Sequence, residues 1–125
     1  MSRHIISILL ENEAGALSRV AGLFSARGYN IEMLTVAPTH DATLSRMTLV
    51  TSGTEAIIEQ INKQLNKLVD VVTLVDLTEG QHIERELVMI KISTEGLDCD
   101  QVHSIVTGHG ADVVDESEET CVVEL

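Results

Sequence analysis

Aromatic residues are almost missing: Phe24 and Tyr29 stand alone, and there is no tryptophan. Without aromatic platforms on which bases can stack, a single-strand nucleic-acid binder is disfavoured. Positive charge is scarce as well. Eight Lys and Arg face twenty Asp and Glu, for a net charge of −12. So acidic a surface repels phosphate backbones and anionic lipid headgroups, so neither nucleic acid nor membrane is expected as a partner. An anionic ligand can bind only where local donors overcome that field. The two cysteines, Cys99 and Cys121, are too few for a disulfide framework. No apolar run approaches the length of a membrane span. The opening Met1-Ser2-Arg3-His4 passes straight into a strand pattern, without the apolar core or small-residue cleavage site of a signal peptide. The expected compartment is cytoplasmic.

What remains is aliphatic. Apolar residues make up 44% of the 125 positions, enough to build a core from Ile, Val, Leu and Ala. The length suits one ordinary domain or two small ones. Charge divides the chain unevenly. Residues 1–78 carry six basic and eight acidic groups, whereas residues 79–125 carry two basic and twelve acidic ones.

Hydrophobic spacing predicts the elements. Residues 4–10 form a dense β-rich run, broken by Glu11-Asn12-Glu13-Ala14-Gly15. From Ala16 the apolar positions Leu17, Val20, Leu23 and Phe24 follow helical spacing, and Gly28 ends that helix as a left-handed cap. Residues 31–37 are a strand stopped by Pro38, 39–43 a loop and 44–51 a third strand. Thr54 is a candidate N-cap for a helix with apolar positions Ile57, Ile58, Ile61, Leu65 and Leu68, followed by a strand over 69–77. The order β-α-β-β-α-β over residues 1–78 is a ferredoxin-like α+β pattern, with two helices on one face of an antiparallel sheet. The other face is expected to be bare and apolar, with Ile6, Ile8 and Leu10 beside Met47 and Leu49. Such a face invites self-association or docking.

After Gln81-His82 a second pattern starts. Strands are expected at 86–93, 111–115 and 120–125, and a helix at 99–107 with Val102, Ile105 and Val106 on one side. Residues 79–125 are thus read as an incomplete βαββ ferredoxin-like unit, and truncation is the expected reason for its missing end.

Whole motifs carry a family resemblance. Leu10-Glu11-Asn12-Glu13-Ala14-Gly15-Ala16-Leu17-Ser18-Arg19-Val20 resembles the first strand-to-helix loop of acetohydroxyacid synthase (acetolactate synthase) regulatory small subunits. Phe24 to Glu32, Leu44 to Thr48, Gln64 to Val71 and Glu84 to Leu87 are similar to the same family. The resemblance is carried over residues 3–95. It implies that residues 1–78 are an ACT domain that forms a homodimer and binds valine or another branched-chain amino acid between protomers. It implies a partner too: the catalytic large subunit of acetohydroxyacid synthase, which carries thiamine diphosphate, FAD and Mg. The chain itself would then be a non-catalytic subunit with no cofactor of its own, activating its partner and conferring feedback inhibition in branched-chain amino-acid biosynthesis.

An amino-acid ligand needs donors for its carboxylate, acceptors for its ammonium group and a side-chain pocket. Free N–H groups opening a helix, with the helix dipole behind them, bind anions without a cationic residue. Gly15, Ala16 and Leu17 are placed to offer them, and Gly15 has no side chain to block approach. Gly15 is equally readable as a turn glycine. The Asn12 carbonyl suits the ligand ammonium, although its amide suits a turn or helix cap just as well. By the resemblance, Asn30 and Ile31 come from the neighbouring protomer, Asn30 for polar groups and Ile31 for the ligand side chain. Without it they read as a turn residue and ordinary core.

Other signals are weaker. Cys99 and His103 stand four apart on a helix, but no second zinc-type pair accompanies them. Ser45-Arg46 lacks a catalytic partner, and Arg46 reads as a strand-surface residue that contacts the large subunit or balances Glu32. Glu11 and Glu13 suit the positive start of a helix better than acid–base chemistry. Two competing readings stay open. One is a stand-alone amino-acid-binding ACT module of another pathway. The other is a small ferredoxin-like enzyme, for which no nucleophile, base and metal set converges.

Overall fold

The computed structural model describes residues 1–125, which divide into two compact units, Met1–His82 and Ile83–Leu125. In the first unit the order is β1 (Ser2–Glu11), α1 (Ala16–Arg27), β2 (Met33–Pro38), β3 (Leu44–Gly53), α2 (Glu55–Leu65) and β4 (Val71–Asp76). The strands pair antiparallel in the order β2-β3-β1-β4, so β1 is central and both α-helical crossovers lie on one face. This is the ferredoxin-like arrangement that the hydrophobic spacing predicts. No helix of the protein is long and apolar enough to cross a membrane.

The core is where the sequence expectation needs correction. Register places Ile6 opposite Leu49 and Ile8 opposite Met47. These four, with Leu10, are buried against Val20, Leu23 and Phe24 of α1 and Ile58, Ile61 and Leu65 of α2. They therefore form the helix-covered face, not the bare one. Period-two alternation alone cannot tell which face a helix takes when both carry apolar residues. The opposite face alternates Ile5, Ser7 and Leu9 of β1 with Arg46, Thr48 and Val50 of β3. It is mixed in chemistry rather than aliphatic, and only partly open: Ile5, Ser7 and Val50 are buried while Arg46 is exposed. There Arg46 Nη1 donates to Ser7 Oγ at 2.8 Å, so its observed partner is Ser7 and not Glu32. Each buried aliphatic side chain of the covered face stabilises the unit by about 1.5–3 kcal/mol.

The helix ends follow local chemistry. Gly28 takes φ 69°, and the Tyr29 N–H returns to the Phe24 carbonyl at 3.0 Å, closing α1 with a left-handed cap. Thr54 accepts from the Ile57 N–H and starts α2. Ile57, expected on the apolar side, is 37% exposed, while Leu68 packs against the core. Strand β2 begins two residues later than the pattern suggests, because Ile31 turns into the core before the chain joins β3.

In the second unit, β5 (Met89–Ser93), α3 (Cys99–Gly108), β6 (Asp112–Glu116) and β7 (Thr120–Glu124) form a three-stranded sheet ordered β5-β7-β6 with one helix. Its small core is Val106, Ala111, Cys121 and Val123, with Ile92, Val102 and Val113 against them. Ile105 is 63% exposed and does not share the Val102–Val106 side, contrary to the sequence expectation. Residues 86–88 lie outside β5, although Val88 still exchanges backbone hydrogen bonds with Leu125.

Candidate functional site

Four of the six candidate ligand residues converge on the β1–α1 connection. Gly15 stands at the N-cap of α1 with φ 88°, a left-handed conformation that a glycine adopts freely. No side chain caps the helix. The amides of Gly15 and Leu17 find no backbone carbonyl, whereas the Ala16 N–H leans toward the Glu13 carbonyl at 3.3 Å. Ala16 is buried and Leu17 is exposed. The donors expected for a carboxylate are thus present at Gly15 and Leu17 and partly committed at Ala16.

Asn12 is held from the side. Its backbone N–H donates to Thr43 O at 2.8 Å, and its Nδ2 donates to Ala42 O at 3.0 Å. Tying the amide to the β2–β3 loop fixes the orientation of the side chain and leaves its carbonyl as the open acceptor. The β2–β3 loop is itself braced. Asp41 Oδ1 accepts from the Thr43 N–H at 2.9 Å and from Thr43 Oγ1 at 2.7 Å. Those bonds, the hydroxyl's first, hold the Asp41 carboxyl below its ordinary range.

Asn30 and Ile31 lie elsewhere. They follow the C-terminal cap of α1, and a helix of 12 residues separates its two ends by about 18 Å. Within one chain the two halves of the expected site do not meet. The Asn30 carbonyl accepts from Thr51 Oγ1 at 2.7 Å, its side chain is exposed, and Ile31 is half-buried beside Tyr29.

Two residues at this loop carry roles that the spacing did not disclose. Arg19 and Asp70 form a two-pronged ion pair, Nε to Oδ2 at 2.5 Å and Nη2 to Oδ1 at 2.8 Å. Asp70 is buried, and its backbone carbonyl accepts from the Glu11 N–H at 2.9 Å. The loop is therefore fastened to the start of β4 on one side and to the β2–β3 loop on the other. The hydrogen bond from Arg19 holds the Asp70 carboxyl below the usual range despite its burial. The Arg19 guanidinium is correspondingly raised, first by the bond to Asp70. The sequence signal was there: a lone Asp inside the run Leu68-Val69-Asp70-Val71-Val72 requires a partner if it is buried.

Two clefts border the first unit. One of about 500 Å³, lined by Leu9, Ala37, Pro38, Asp41, Leu44 and Arg46, lies beside the β2–β3 loop that holds Asn12. The larger, of about 630 Å³, lies at the opposite end of β1 among His4, Glu55, Glu59, Asp76 and Glu79. Its carboxylates suit a ligand carboxylate poorly, so size does not decide the site. For metal, Cys99 and His103 gather no ligand set. His103 Nε2 instead meets both oxygens of Glu116 at 3.1 Å. Glu11, Glu13 and Asp70 lie close enough to hold an ion, but Arg19 already supplies positive charge there.

Comparison with known proteins identifies the family. A family model described as "AHAS small subunit-like ACT domain" matches residues 6–73, and one described as "Small subunit of acetolactate synthase" matches residues 85–125. Similarity thus continues past residue 95, where the family motifs in the sequence give out. The isozyme 3 small subunit of acetolactate synthase from Escherichia coli K12 is 53% identical over 98% of this chain and 76% of its own length. The corresponding Salmonella typhimurium protein is 52% identical over the same shares. The crystal structure of the acetolactate synthase small subunit from Thermotoga maritima superposes with a TM-score of 0.87 at 34% identity, over all of this chain and 78% of that one. The chain therefore belongs to the acetolactate synthase small-subunit family, with an ACT domain at its N-terminal end.

Proposed function

We propose that this protein is the regulatory subunit of an acetolactate synthase and binds valine at the β1–α1 loop. The observation that carries the reading is the left-handed Gly15 at an uncapped helix start. It presents open amides to an anion while Asn12, clamped through its amide, offers a carbonyl to an ammonium group. Those are the complementary halves of a free α-amino acid. Asn30 and Ile31, at the far end of α1, complete the cage from a second copy of the chain, so the site forms only in a homodimer.

The subunit itself performs no chemistry on this reading. Thiamine diphosphate, FAD and Mg belong to the catalytic large subunit in the cytoplasm, to which this chain attaches. Valine acts by preferring one arrangement of the dimer over another, since a ligand shifts an equilibrium only by its differential affinity. The valine-preferred arrangement is the one that no longer activates the catalytic subunit. Division of labour between the units follows: residues 1–78 bind ligand and dimerise, and residues 79–125 form a separate βαββ module.

The test is reconstitution. Titrating the chain into its purified catalytic subunit should raise acetolactate formation, and added valine should reverse the gain. A catalytic rate indifferent to the chain at micromolar excess would overturn the assignment.

A further inference from the structure

The β1–α1 loop is electrostatically odd for a carboxylate site. Glu11, Glu13 and Asp70 bring carboxylate oxygens within 4.8 Å of one another there. A carboxylate entering toward the Gly15 and Leu17 amides meets the field of Glu11 and Glu13, both exposed. The helix end opposes that field with only about half an elementary charge. Arg19 is the cation of this loop. Two of its nitrogens, Nε and Nη2, are spent on Asp70. The third, Nη1, points the other way. It lies 2.8 Å from the position that a β-carbon on Gly15 would occupy. The guanidinium is thus laid across the bare glycine backbone, with 46% of its side chain open to solvent.

From this placement we infer that Arg19 is a ligand-binding residue: Nη1 takes an oxygen of the ligand carboxylate while Nε and Nη2 stay on Asp70. The inference rests on the amino-acid-binding reading above and assigns that site its cation. It gives Gly15 a second reason to lack a side chain, since any β-carbon would push the donor aside. It also defines the ligand class as one with a free carboxylate, because a charge-assisted bond is lost when that group is an amide or an alcohol.

A paired comparison of variants separates contact from bracing. Valine is titrated calorimetrically into the full chain as wild type, Asp70→Asn, and the double variant Arg19→Met with Asp70→Asn. Asp70→Asn removes the anchor and keeps the cation. The double variant removes the cation without leaving a buried carboxylate bare. A ligand contact predicts affinity within about threefold of wild type for Asp70→Asn, and a loss of about tenfold or more for the double variant. Equal losses in the two would make Arg19 a brace only and overturn the inference. So would a double variant that binds valine as tightly as wild type. Should wild type bind neither valine, leucine nor isoleucine, the amino-acid reading itself fails and takes this assignment with it.

Discussion

Arg19 and Asp70 grip each other through two parallel hydrogen bonds, joining helix α1 to the chain entering β4. One partner is half open to water and the other is buried, with side-chain exposures of 46% and 4%. The carboxylate is thereby kept ionised in a place where an unpaired one would be costly.

Acid should expose this dependence. A carboxyl whose folded pKa is depressed adds stability above its unfolded value, and that stability drains away as pH falls through the folded value. Asp70 is depressed by Arg19, and Glu59 by Lys63. For Asp76 burial pushes upward, but the bonds from Thr78 and His4 outweigh it. All three carry the same sign. The thermal midpoint should therefore decline as pH drops below about 4, the ordinary carboxylate range. The variant Asp70→Asn should melt lower at neutral pH and decline less steeply in acid. Circular dichroism melts across pH measure both, and equal midpoints at neutral pH would count against the pair.

Gly22 of α1 and Gly28 at its C-terminal cap should respond oppositely to the same change. Gly22 lies inside the helix, and a β-carbon added there would meet nothing within 4 Å. Gly22→Ala should stabilise by about 0.5–1 kcal/mol. Gly28 has equal room but φ 69°, so Gly28→Ala should destabilise by about 1 kcal/mol. Urea unfolding of both variants reads the sign directly.

The covered face of the sheet can be checked with a pair of truncations. Ile8 is fully buried, whereas Val75 on the other face is 47% exposed. Ile8→Ala should cost about 2–5 kcal/mol, and Val75→Ala under about 1 kcal/mol. A larger loss at Val75 than at Ile8 would mean the two faces had been exchanged.

Gly15 is the sharpest probe of the ligand loop. Gly15→Ala meets both the strained φ of 88° and the nearby Arg19 Nη1, so it should cost about 1 kcal/mol of stability. Valine affinity should fall with it, and Gly15→Asp should abolish binding by adding a carboxylate where the ligand carboxylate goes. Calorimetry showing normal valine binding by Gly15→Asp would place the pocket elsewhere.

The fold was legible because its elements obey period and punctuation. Val20, Leu23 and Phe24 follow helical spacing, and Gly28 stops the helix where the sequence says it should. Strand faces were not legible, since β1 carries Ile5 and Leu9 on one side and Ile6, Ile8 and Leu10 on the other. Which set a helix covers depends on crossover geometry, a long-range property. The ligand loop proposed at Asn12 and Gly15 rested on the family resemblance, because local chemistry alone reads them equally well as a capping asparagine and a turn glycine. Arg19 and Asp70 stand 51 residues apart, and no local pattern joins residues so distant. Asn30 and Ile31 came from family resemblance alone, and a single chain keeps them at the far end of α1.

One consequence concerns the edge strand β4. Asp70 precedes it and is gripped by Arg19, while Asp76 closes it and accepts from His4 Nδ1 at 2.7 Å. A carboxylate rivet at each end prevents β4 from sliding, because a one-residue slip would part both rivets and rotate Leu74 out of the core. Edge strands commonly fray first. Here the amides of residues 71–76 should exchange with deuterium more slowly than those of β2, the edge across the sheet, whose ends carry no such fastening.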